Sequence, residues 1–307
     1  MSEIVIRTEN LTRDFKTVRA LDGLSVEVPS GIIFGFLGPN GAGKTTTINL
    51  LLGLLEPSEG EIEVLCYDIR YHINEIRSRT GALLEYTGLY ERLSAEDNME
   101  YFGRIWRLPP TLRKARINEL LTHFDLWDRR KEKVGTWSKG MKQKLAVART
   151  ILHNPQLVFF DEPTSGLDPI AAATLRKDIV QLVSQNGTTV FLTTHNLNEA
   201  EKLCDLVAVI NKGKLVTIGH PDELRANTSK SRVRIIGNGF NEKILSLLRS
   251  RTEITDVQLL DGQLHIDLQE NMKISPLISM MISAGVEIEE VRKEKASLEE
   301  AFLKLME

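Results

Sequence analysis

Runs of apolar residues separated by polar segments predict strands and helices in alternation. Continuous apolar runs at 32–37 and 157–160, with a further strand at 188–193, are typical of strands buried on both faces. Two shorter β-branched runs, at 4–7 and 24–28, are separated by a polar stretch and predict two more strands. Buried strands that alternate with helices predict a parallel sheet with helices on both of its faces.

Helical periodicity and capping residues locate the helices between these strands. In the segment 94–126, Ser94 and Asp97 form a capping box, and Pro109 and Pro110 end the first of two helices. Ser138 and Asp168 are placed to cap two later helices. The other elements predicted in this part of the chain are helices over 45–55, 139–153, 169–186 and 222–227, and a hairpin over 206–218.

A polar joint at 228–231 predicts a boundary between a domain over 1–228 and a domain over 229–307. The second domain is predicted to follow the order βαββαβ plus a helix, which is the order of a ferredoxin-like module. It contains no cluster of titratable residues that suggests chemistry. Its predicted elements are a strand over 232–236, a helix over 241–250, a hairpin over 255–268 that turns at Asp261 and Gly262, a helix over 274–284, a strand over 286–292 and a helix over 297–306.

Composition narrows the class of protein. A net charge of −3 does not favour nucleic acid or an anionic membrane surface as a partner. Cys66 and Cys204 lie far apart and form no CxxC pair, so neither a disulfide framework nor a zinc site is expected. Two such cysteines fit a protein of a reducing compartment. The N-terminal segment with Glu3 and Glu9 lacks the features of a signal peptide, and the longest apolar stretch, 50–55, is too short to cross a bilayer. A role at a membrane would therefore depend on a partner chain.

The segment from Gly38 to Thr45 has the pattern G-x-x-x-x-G-K-[ST] between a predicted strand and a predicted helix. Glycines allow backbone N–H groups to converge on phosphate oxygens, and the start of the helix adds partial positive charge. Lys44 is predicted to reach the outer phosphates and the Thr45 hydroxyl to hold Mg²⁺. The residues predicted to bind ATP are Gly38, Pro39, Asn40, Gly41, Ala42, Gly43, Lys44, Thr45 and Thr46.

Two adjacent carboxylates, Asp161 and Glu162, end the apolar run at 157–160. By themselves they would be interpreted as two hydrated acids at the end of a strand. Beside a phosphate-binding loop, Asp161 is predicted to act on the Mg²⁺ side of the site, and Glu162 to polarise an attacking water.

These motifs, with several more in the same order, resemble the nucleotide-binding subunits of ATP-binding-cassette (ABC) transporters from residue 4 to about residue 220. The resemblance implies that Phe15, which would otherwise be interpreted as core packing, stacks on adenine. It also implies that His195, which follows a strand, is the catalytic switch histidine. The signature motif corresponds to Ser138, Lys139, Gly140 and Met141 after Trp137, and the D-loop corresponds to Ser165, Gly166, Leu167 and Asp168.

Two motifs depart from the common pattern of the family. Glu85 stands where many members have the glutamine of the Q-loop, and it is expected to offer an oxygen to Mg²⁺ or to its water. Lys139 and Met141 replace the glycine and glutamine of the signature, while Ser138 and Gly140 keep the start of an anion-binding helix. This variant and the C-terminal module resemble bacterial export cassettes that pair with a separately encoded permease, as in antibiotic-resistance exporters.

The resemblance implies an α/β fold, a P-loop NTPase cassette with a RecA-like parallel sheet core, an antiparallel β part and an inserted helical lobe at about 86–153. A small ferredoxin-like α+β domain would follow it. The implied function is an ATPase that uses ATP and Mg²⁺, dimerises head to tail with a second copy or a paralogous cassette, and drives an integral membrane permease. The expected location is cytoplasmic, at the inner face of the cell membrane, and no nucleic acid partner is expected.

The main alternative is a soluble ABC-type ATPase that acts on nucleic acid or ribosomes. Such proteins usually carry two cassettes or a long coiled-coil insertion, whereas this chain has one P-loop and no sustained heptads. A binding protein with an inactive site is disfavoured because Lys44, Asp161, Glu162 and His195 are all present.

Overall fold

A computed structural model describes residues 3–228, 231–260, 262–268 and 274–294, together with residues 299 and 302. The chain separates into two compact units, Met1–His220 and Pro221–Glu307. The sequence pattern placed the boundary later, after Thr228. The two boundaries differ by the helix Pro221–Thr228, which belongs to the second unit. Proline is favoured in the first turn of a helix because it has no N–H to leave unpaired.

The first unit contains the strands and helices that the motifs require. Its strands are β1 (Ile4–Phe15), β2 (Val18–Pro29), β3 (Ile33–Leu37), β4 (Glu59–Val64), β5 (Tyr67–Asp68), β6 (Thr80–Leu83), β7 (Leu157–Asp161), β8 (Thr189–Thr194), β9 (Leu206–Asn211) and β10 (Lys214–Gly219). Its helices are α1 (Lys44–Leu51), α2 (Ile73–Arg79), α3 (Ala95–Ile105), α4 (Pro110–His123), α5 (Lys139–Thr150), α6 (Pro169–Asn186) and α7 (Leu197–Leu203).

An antiparallel sheet has the strand order β2–β1–β4–β5. The strands predicted over 4–7 and 24–28 are in the right place but were predicted too short. They extend through polar residues because β1 and β2 pair along their whole length, so that backbone hydrogen bonds are satisfied on both. Exposed cross-strand ion pairs, such as Arg7 with Glu27 at 2.9 Å, occupy the hydrated face.

The second sheet has the order β10–β9–β3–β8–β7–β6. Neighbouring strands from β9 to β6 run parallel, and β10 pairs antiparallel with β9 at the edge. All five residues of β3 and all five of β7 are buried, as the continuous apolar runs predicted. The parallel core of the predicted fold is therefore confirmed, and the hairpin predicted over 206–218 is formed by β9 and β10.

Capping chemistry predicted the helices of the lobe well. The Ser94 hydroxyl accepts a hydrogen bond from the Asp97 N–H at 3.0 Å, as the capping box predicted. The helix predicted over 45–55 ends earlier, at Leu51, because Gly53 takes a left-handed backbone conformation with φ of 61°. Elements were not predicted over 56–93 or at α7, where short segments lack a long apolar period.

Aromatic residues fill the centre of the first unit. The Phe191 ring on β8 lies 5.3 Å from Phe34, 5.4 Å from Phe36 and 5.6 Å from Phe159, measured between ring centroids. All four side chains are buried. The rings stand on three neighbouring parallel strands and thereby fix the spacing of the strand ends that carry the polar motifs.

The second unit is a separate α+β module with its own hydrophobic core. Its elements are α8 (Pro221–Thr228), β11 (Ser231–Asn238), α9 (Glu242–Arg249), β12 (Ile254–Leu260), β13 (Gln263–Leu268), α10 (Ser275–Ser283) and β14 (Glu287–Glu294). Its sheet has the order β12–β13–β11–β14 and is antiparallel throughout, the ferredoxin-like arrangement that was predicted. The helix predicted over 297–306 lies outside the described residues except for Glu299 and Phe302, as do Ser229, Lys230 and Asp261.

Truncation of the central aromatic residue is expected to destabilise the first unit. Phe191→Ala should lower the free energy of unfolding by about 3–5 kcal/mol, because it removes buried surface and leaves a cavity between three strands. Guanidinium denaturation measures the loss. The matched control is Phe15→Ala, which removes a ring that is 39% exposed and should cost far less. Equal losses in the two variants would contradict the central role of Phe191.

Candidate active site

The loop between β3 and α1 is shaped by its glycines. Gly43, the N-cap of α1, has a φ of 111°, and a Cβ at this position would lie 2.7 Å from the Ala20 carbonyl oxygen. A Cβ on Gly38 would lie 2.4 Å from the carbonyl oxygen of Ile210 on β9. A side chain at either position would therefore push the loop away from its neighbours. The backbone passes close to two strands and leaves the start of α1 open to an anion.

Lys44 extends from the first turn of α1 back over this loop. Its side chain is buried, and its Nζ donates to the Gly38 carbonyl at 2.8 Å and to the Pro39 carbonyl at 3.3 Å. The same Nζ lies 3.6 Å from Glu162 Oε1. The loop thus holds a cation beside the second of the two adjacent carboxylates.

Asp161 joins three elements at the end of β7. The Thr45 hydroxyl on α1 donates to Asp161 Oδ2 at 2.9 Å. The Thr193 hydroxyl on β8 donates to Asp161 Oδ1 in a short hydrogen bond. Thr193 was not identified from the sequence. It lies near the end of β8, the strand that leads into His195, and this position is a signal from which it could have been predicted.

Glu162 and His195 are paired across the ends of β7 and β8. Glu162 Oε2 lies 2.6 Å from His195 Nδ1. An ionised carboxylate can only accept, so the proton lies on Nδ1 and the other ring nitrogen, Nε2, is left as an acceptor when the ring is neutral. The structure therefore brings together Lys44, Asp161, Glu162 and His195, which come from three segments that are far apart in the sequence.

These groups line a cavity of about 900 Å³. The predicted residues Asn40, Gly41, Gly43, Thr46 and Glu85 are also in its wall. Lysine and arginine side chains balance the carboxylates, which suits a polyanionic ligand. The cationic residues that line it are Arg19, Lys44, Lys139, Lys142 and Lys212.

Phe15 does not line this cavity. It is at the end of β1, and the guanidinium of Arg13 lies 4.6 Å from the centre of its ring. The part of the cavity wall nearest in the sequence is formed by Val18, Arg19 and Ala20. Adenine stacking on Phe15 remains a prediction.

The signature residues form the start of α5. Ser138 is the N-cap, and its hydroxyl accepts from the Met141 N–H at 3.3 Å. Lys139 reaches the D-loop, where its Nζ lies 2.2 Å from the position that a Cβ on Gly166 would occupy. Asp168, at the end of the D-loop, caps α6 by accepting from the Ile170 and Ala171 N–H groups.

A further contact links the signature helix to the carboxylate loop. Gln143 Nε2 on α5 donates to the Pro163 carbonyl at 2.6 Å, directly after Glu162. Gln143 also lines the cavity. Sequence analysis missed this residue, because its side-chain amide has no local motif to distinguish it from a surface glutamine.

Comparison with known proteins identifies the family to which the chain belongs. The family model described as "ABC transporter" matches residues 21–165. The daunorubicin resistance ATP-binding protein DrrA3 of Streptomyces coeruleorubidus is 36% identical over 309 residues, covering 99% of this chain and 96% of that protein. The chain belongs to the ABC transporter family.

Two more similarities agree with this assignment. The bacitracin transport ATP-binding protein BcrA of Bacillus licheniformis is 34% identical, covering 98% of this chain and 97% of that protein. A solved structure described as the ATP-binding subunit of an ABC transporter is 30% identical with a TM-score of 0.66, and the match covers 73% of this chain and 92% of that one. The chain is thus the ATP-binding subunit of an ABC transporter, and an ATPase.

A second cavity of about 430 Å³ lies on the same unit of this ABC ATPase, beside the helical lobe. Its wall is largely apolar and aromatic. It is lined in part by Leu52, Leu54, Leu84, Tyr86, Phe102, Ile105, Trp106, Arg149 and His153. Within the described part of the chain, no helix has the length and apolar character needed to span a bilayer.

His153 and Arg149 give this groove its polar chemistry. The His153 ring stacks on Trp106 at 3.7 Å between centroids, and its Nε2–H donates to the Thr80 carbonyl at 3.0 Å. Burial lowers the pKa of His153 to about 4, so the ring is neutral at pH 7. Burial also lowers the pKa of the Arg149 guanidinium, whose Nη2 donates to the Ala82 carbonyl at 3.3 Å.

The stability of this ABC ATPase is expected to depend on pH through His153. The folded-state pKa of about 4 lies below the ordinary value of 6.5, so its contribution is complete above pH 6.5 and is lost as the pH falls toward 4. Between pH 7 and pH 5 the loss should be about 2 kcal/mol.

Denaturation of the wild type and of His153→Gln at both pH values isolates this contribution, because glutamine does not titrate. The wild type should lose more stability than the variant on acidification. Parallel losses in the two proteins would show that other groups cause the pH dependence.

Proposed function

We propose that this chain is the motor of a drug or antibiotic exporter, in which Glu162 activates the water that hydrolyses ATP. The observation that carries the proposal is the position of Glu162, between the ammonium of Lys44 at 3.6 Å and the His195 ring at 2.6 Å, in the wall of the larger cavity. Export is supported by the relatives, which are described as a daunorubicin resistance protein and a bacitracin transport protein.

Each residue of the proposed site has a distinct task. Lys44 and the N–H groups at the start of α1 hold the outer phosphates and offset their charge. Glu162 orients a water molecule and accepts its proton as the water oxygen bonds to the γ-phosphorus and the bond from that phosphorus to the bridging oxygen breaks, which releases ADP and phosphate. His195 holds the Glu162 carboxylate through Nδ1–H, which leaves Nε2 to accept a further hydrogen bond.

Thr45 and Asp161 are the residues that would hold Mg²⁺. The Thr45 hydroxyl oxygen and Asp161 Oδ2 lie 2.9 Å apart, and both residues line the cavity. Hard oxygen ligands of this kind suit Mg²⁺, which usually takes only one or two carboxylates from the protein. When bound, Mg²⁺ supplies charge neutralisation for the phosphates. Glu85, in the cavity wall, is a further candidate ligand to the ion or to its water.

The signature motif acts on the ATP of a second subunit in this proposal. Ser138 to Met141 open α5, whose N-terminus is suited to a phosphate that the facing P-loop holds from the other side. Two ATP molecules would then join two copies, or this chain and a paralogous cassette, head to tail about a two-fold axis. The residues of the proposed chemistry all precede Gly219, and the C-terminal module over 229–307 is proposed as an accessory domain.

The groove beside the helical lobe is the proposed seat of a cytoplasmic helix of the permease. Its aromatic and aliphatic wall suits an apolar helix face, and Tyr86 and Ile105 are exposed at its rim. Arg149 adds a half-buried cation to the wall of the groove, where its guanidinium lies 4.9 Å from the centre of the Phe102 ring. The chain would then lie at the inner face of the cell membrane through its permease.

Removal of the proposed base separates hydrolysis from binding. Glu162→Gln should lower steady-state ATP turnover by about 10²–10⁴-fold, because the amide cannot accept the proton of water. ATP affinity, measured by nucleotide titration, should stay close to the wild-type value. Lys44→Ala should instead weaken nucleotide binding, because it removes the buried cation at the phosphates. Turnover near the wild-type level in a folded Glu162→Gln protein would show that the base lies elsewhere.

The permease assignment is tested by a charge placed in the groove. Ile105→Glu, at a residue that is 54% exposed in the groove wall, should reduce co-purification with a polytopic membrane protein by about 10-fold or more, because a carboxylate would be buried. Leu112→Glu is the matched control, since Leu112 is 50% exposed on the same lobe and does not line the groove.

Both proteins should still fold and bind ATP. Equal co-purification of the two variants would place the permease contact elsewhere. Co-purification of the wild type with ribosomes or DNA, without a membrane protein, would favour the soluble alternative.

A further inference from the structure

The backbone of Glu162 has an unusual conformation. Its φ is 52°, in the left-handed region that residues other than glycine rarely adopt. Such a conformation costs on the order of 1–3 kcal/mol and persists only when the surrounding structure holds it. The bonds that surround Glu162 are therefore candidates for control of its carboxylate.

The first set of bonds fixes the two ends of the loop 162–165. The Glu162 N–H donates to the Thr193 carbonyl at 3.1 Å, and the Ser165 N–H donates to the Glu162 carbonyl at 3.0 Å. Between them, the Pro163 carbonyl accepts from Gln143 of the signature helix. A further hydrogen bond joins a polar side chain of the loop to α7.

That side chain is Thr164, and its partner is a buried carboxylate on α7. The Thr164 hydroxyl donates to Glu199 Oε2 at 2.7 Å. The same oxygen accepts from the Thr194 hydroxyl at 3.2 Å, one residue before His195. A single oxygen atom thus binds both the loop that carries Glu162 and the strand end that carries His195.

The surroundings of Glu199 show that this arrangement is costly. The side chain is 1% exposed, and the nearest cation, Arg176 on α6, lies 3.9 Å from Oε1, which makes no hydrogen bond in the described structure. A buried carboxylate that is only partly satisfied lowers stability compared with an apolar residue of similar size. Its place in the first turn of α7 offsets a fraction of this cost through the helix dipole.

We propose that Glu199 and Thr164 are positioning residues for hydrolysis, and that their hydrogen bond sets Glu162 and His195 at the distance that the reaction requires. This inference rests on the proposed function, in which Glu162 is the base. Neither residue touches the reacting atoms. They act by holding the two segments that do.

The test changes Thr164, because this leaves the buried carboxylate in place. Thr164→Val has almost the same shape and volume but no hydroxyl, and Thr164→Ser keeps the hydroxyl. In the full-length chain, Thr164→Val should lower kcat by about 10-fold to 10²-fold, since small displacements of a catalytic group have effects of this size. The KM for ATP and the affinity for ATP should change by less than about twofold, and Thr164→Ser should recover most of the lost rate.

Thr174→Val is the matched control for loss of a threonine hydroxyl. The Thr174 hydroxyl donates to the Ile170 carbonyl within α6, in a half-buried residue that does not line the larger cavity, so its removal should leave kcat near the wild-type value. Thermal unfolding of each variant shows whether it is folded at the assay temperature. A purely structural role would lower stability, and Thr164→Val and Thr164→Ser would then not differ in kcat once both are folded.

Glu162→Gln is measured in the same series to distinguish the role of Glu162 as the base from the role of Thr164 in positioning it. If Glu162→Gln is inactive while folded Thr164→Val turns over at the wild-type rate, the positioning inference is wrong and the base assignment stands. If Glu162→Gln turns over at the wild-type rate, the base assignment is wrong and the inference falls with it. A loss of kcat in Thr164→Val that Thr164→Ser does not recover would also overturn the inference, because the hydroxyl would not be the cause.

Discussion

The whole site depends on one property of parallel sheets, which is that the carboxyl ends of neighbouring strands meet at the same edge. β3, β8 and β7 are adjacent in the sheet, and they are followed by the phosphate-binding loop, His195 and Glu162 respectively. Asp161 ties this edge together, because its two oxygens accept from Thr45 on α1 and Thr193 on β8. The buried phenylalanines behind the edge pack across these three strands. This packing holds the strand ends, and the site residues that follow them, in fixed relative positions.

The parallel core, the helical lobe and the C-terminal module could be predicted from the sequence because each has a long or strongly marked pattern. Buried strands are continuous apolar runs, and the lobe helices begin at capping residues such as Ser94 and Ser138. The segment over 56–93 could not be predicted in the same way. Its strands and helix are short, and they are defined by pairing with β1 and packing on the sheet, which are interactions distant in sequence.

The residues of the site likewise fall into those that a local sequence pattern marks and those that it does not. Lys44, Thr45, Asp161 and Glu162 belong to local motifs with a chemical reason for each residue, so that the sequence alone predicted them. Gln143 and Glu199 have no such motif, and Thr193 is marked only by its place in the strand that precedes His195. Their significance comes from what they touch, and a glutamate in the sequence NLNEAEKL has the pattern of a hydrated helix residue. The ferredoxin-like module showed the opposite case, in which element order predicted the fold and nothing in the residues indicated chemistry.

Three costly features of the first unit lie in the site or next to it. Glu162 has a left-handed backbone, Lys44 is a buried cation and Glu199 is a buried carboxylate. Such departures are expected where a protein keeps geometry at the expense of stability. The loop 162–165 is bonded on one side to Gln143 on the signature helix and on the other to Glu199 on α7. A displacement of α5 relative to the sheet would therefore stretch or break the hydrogen bond from Gln143 to the loop that carries Glu162.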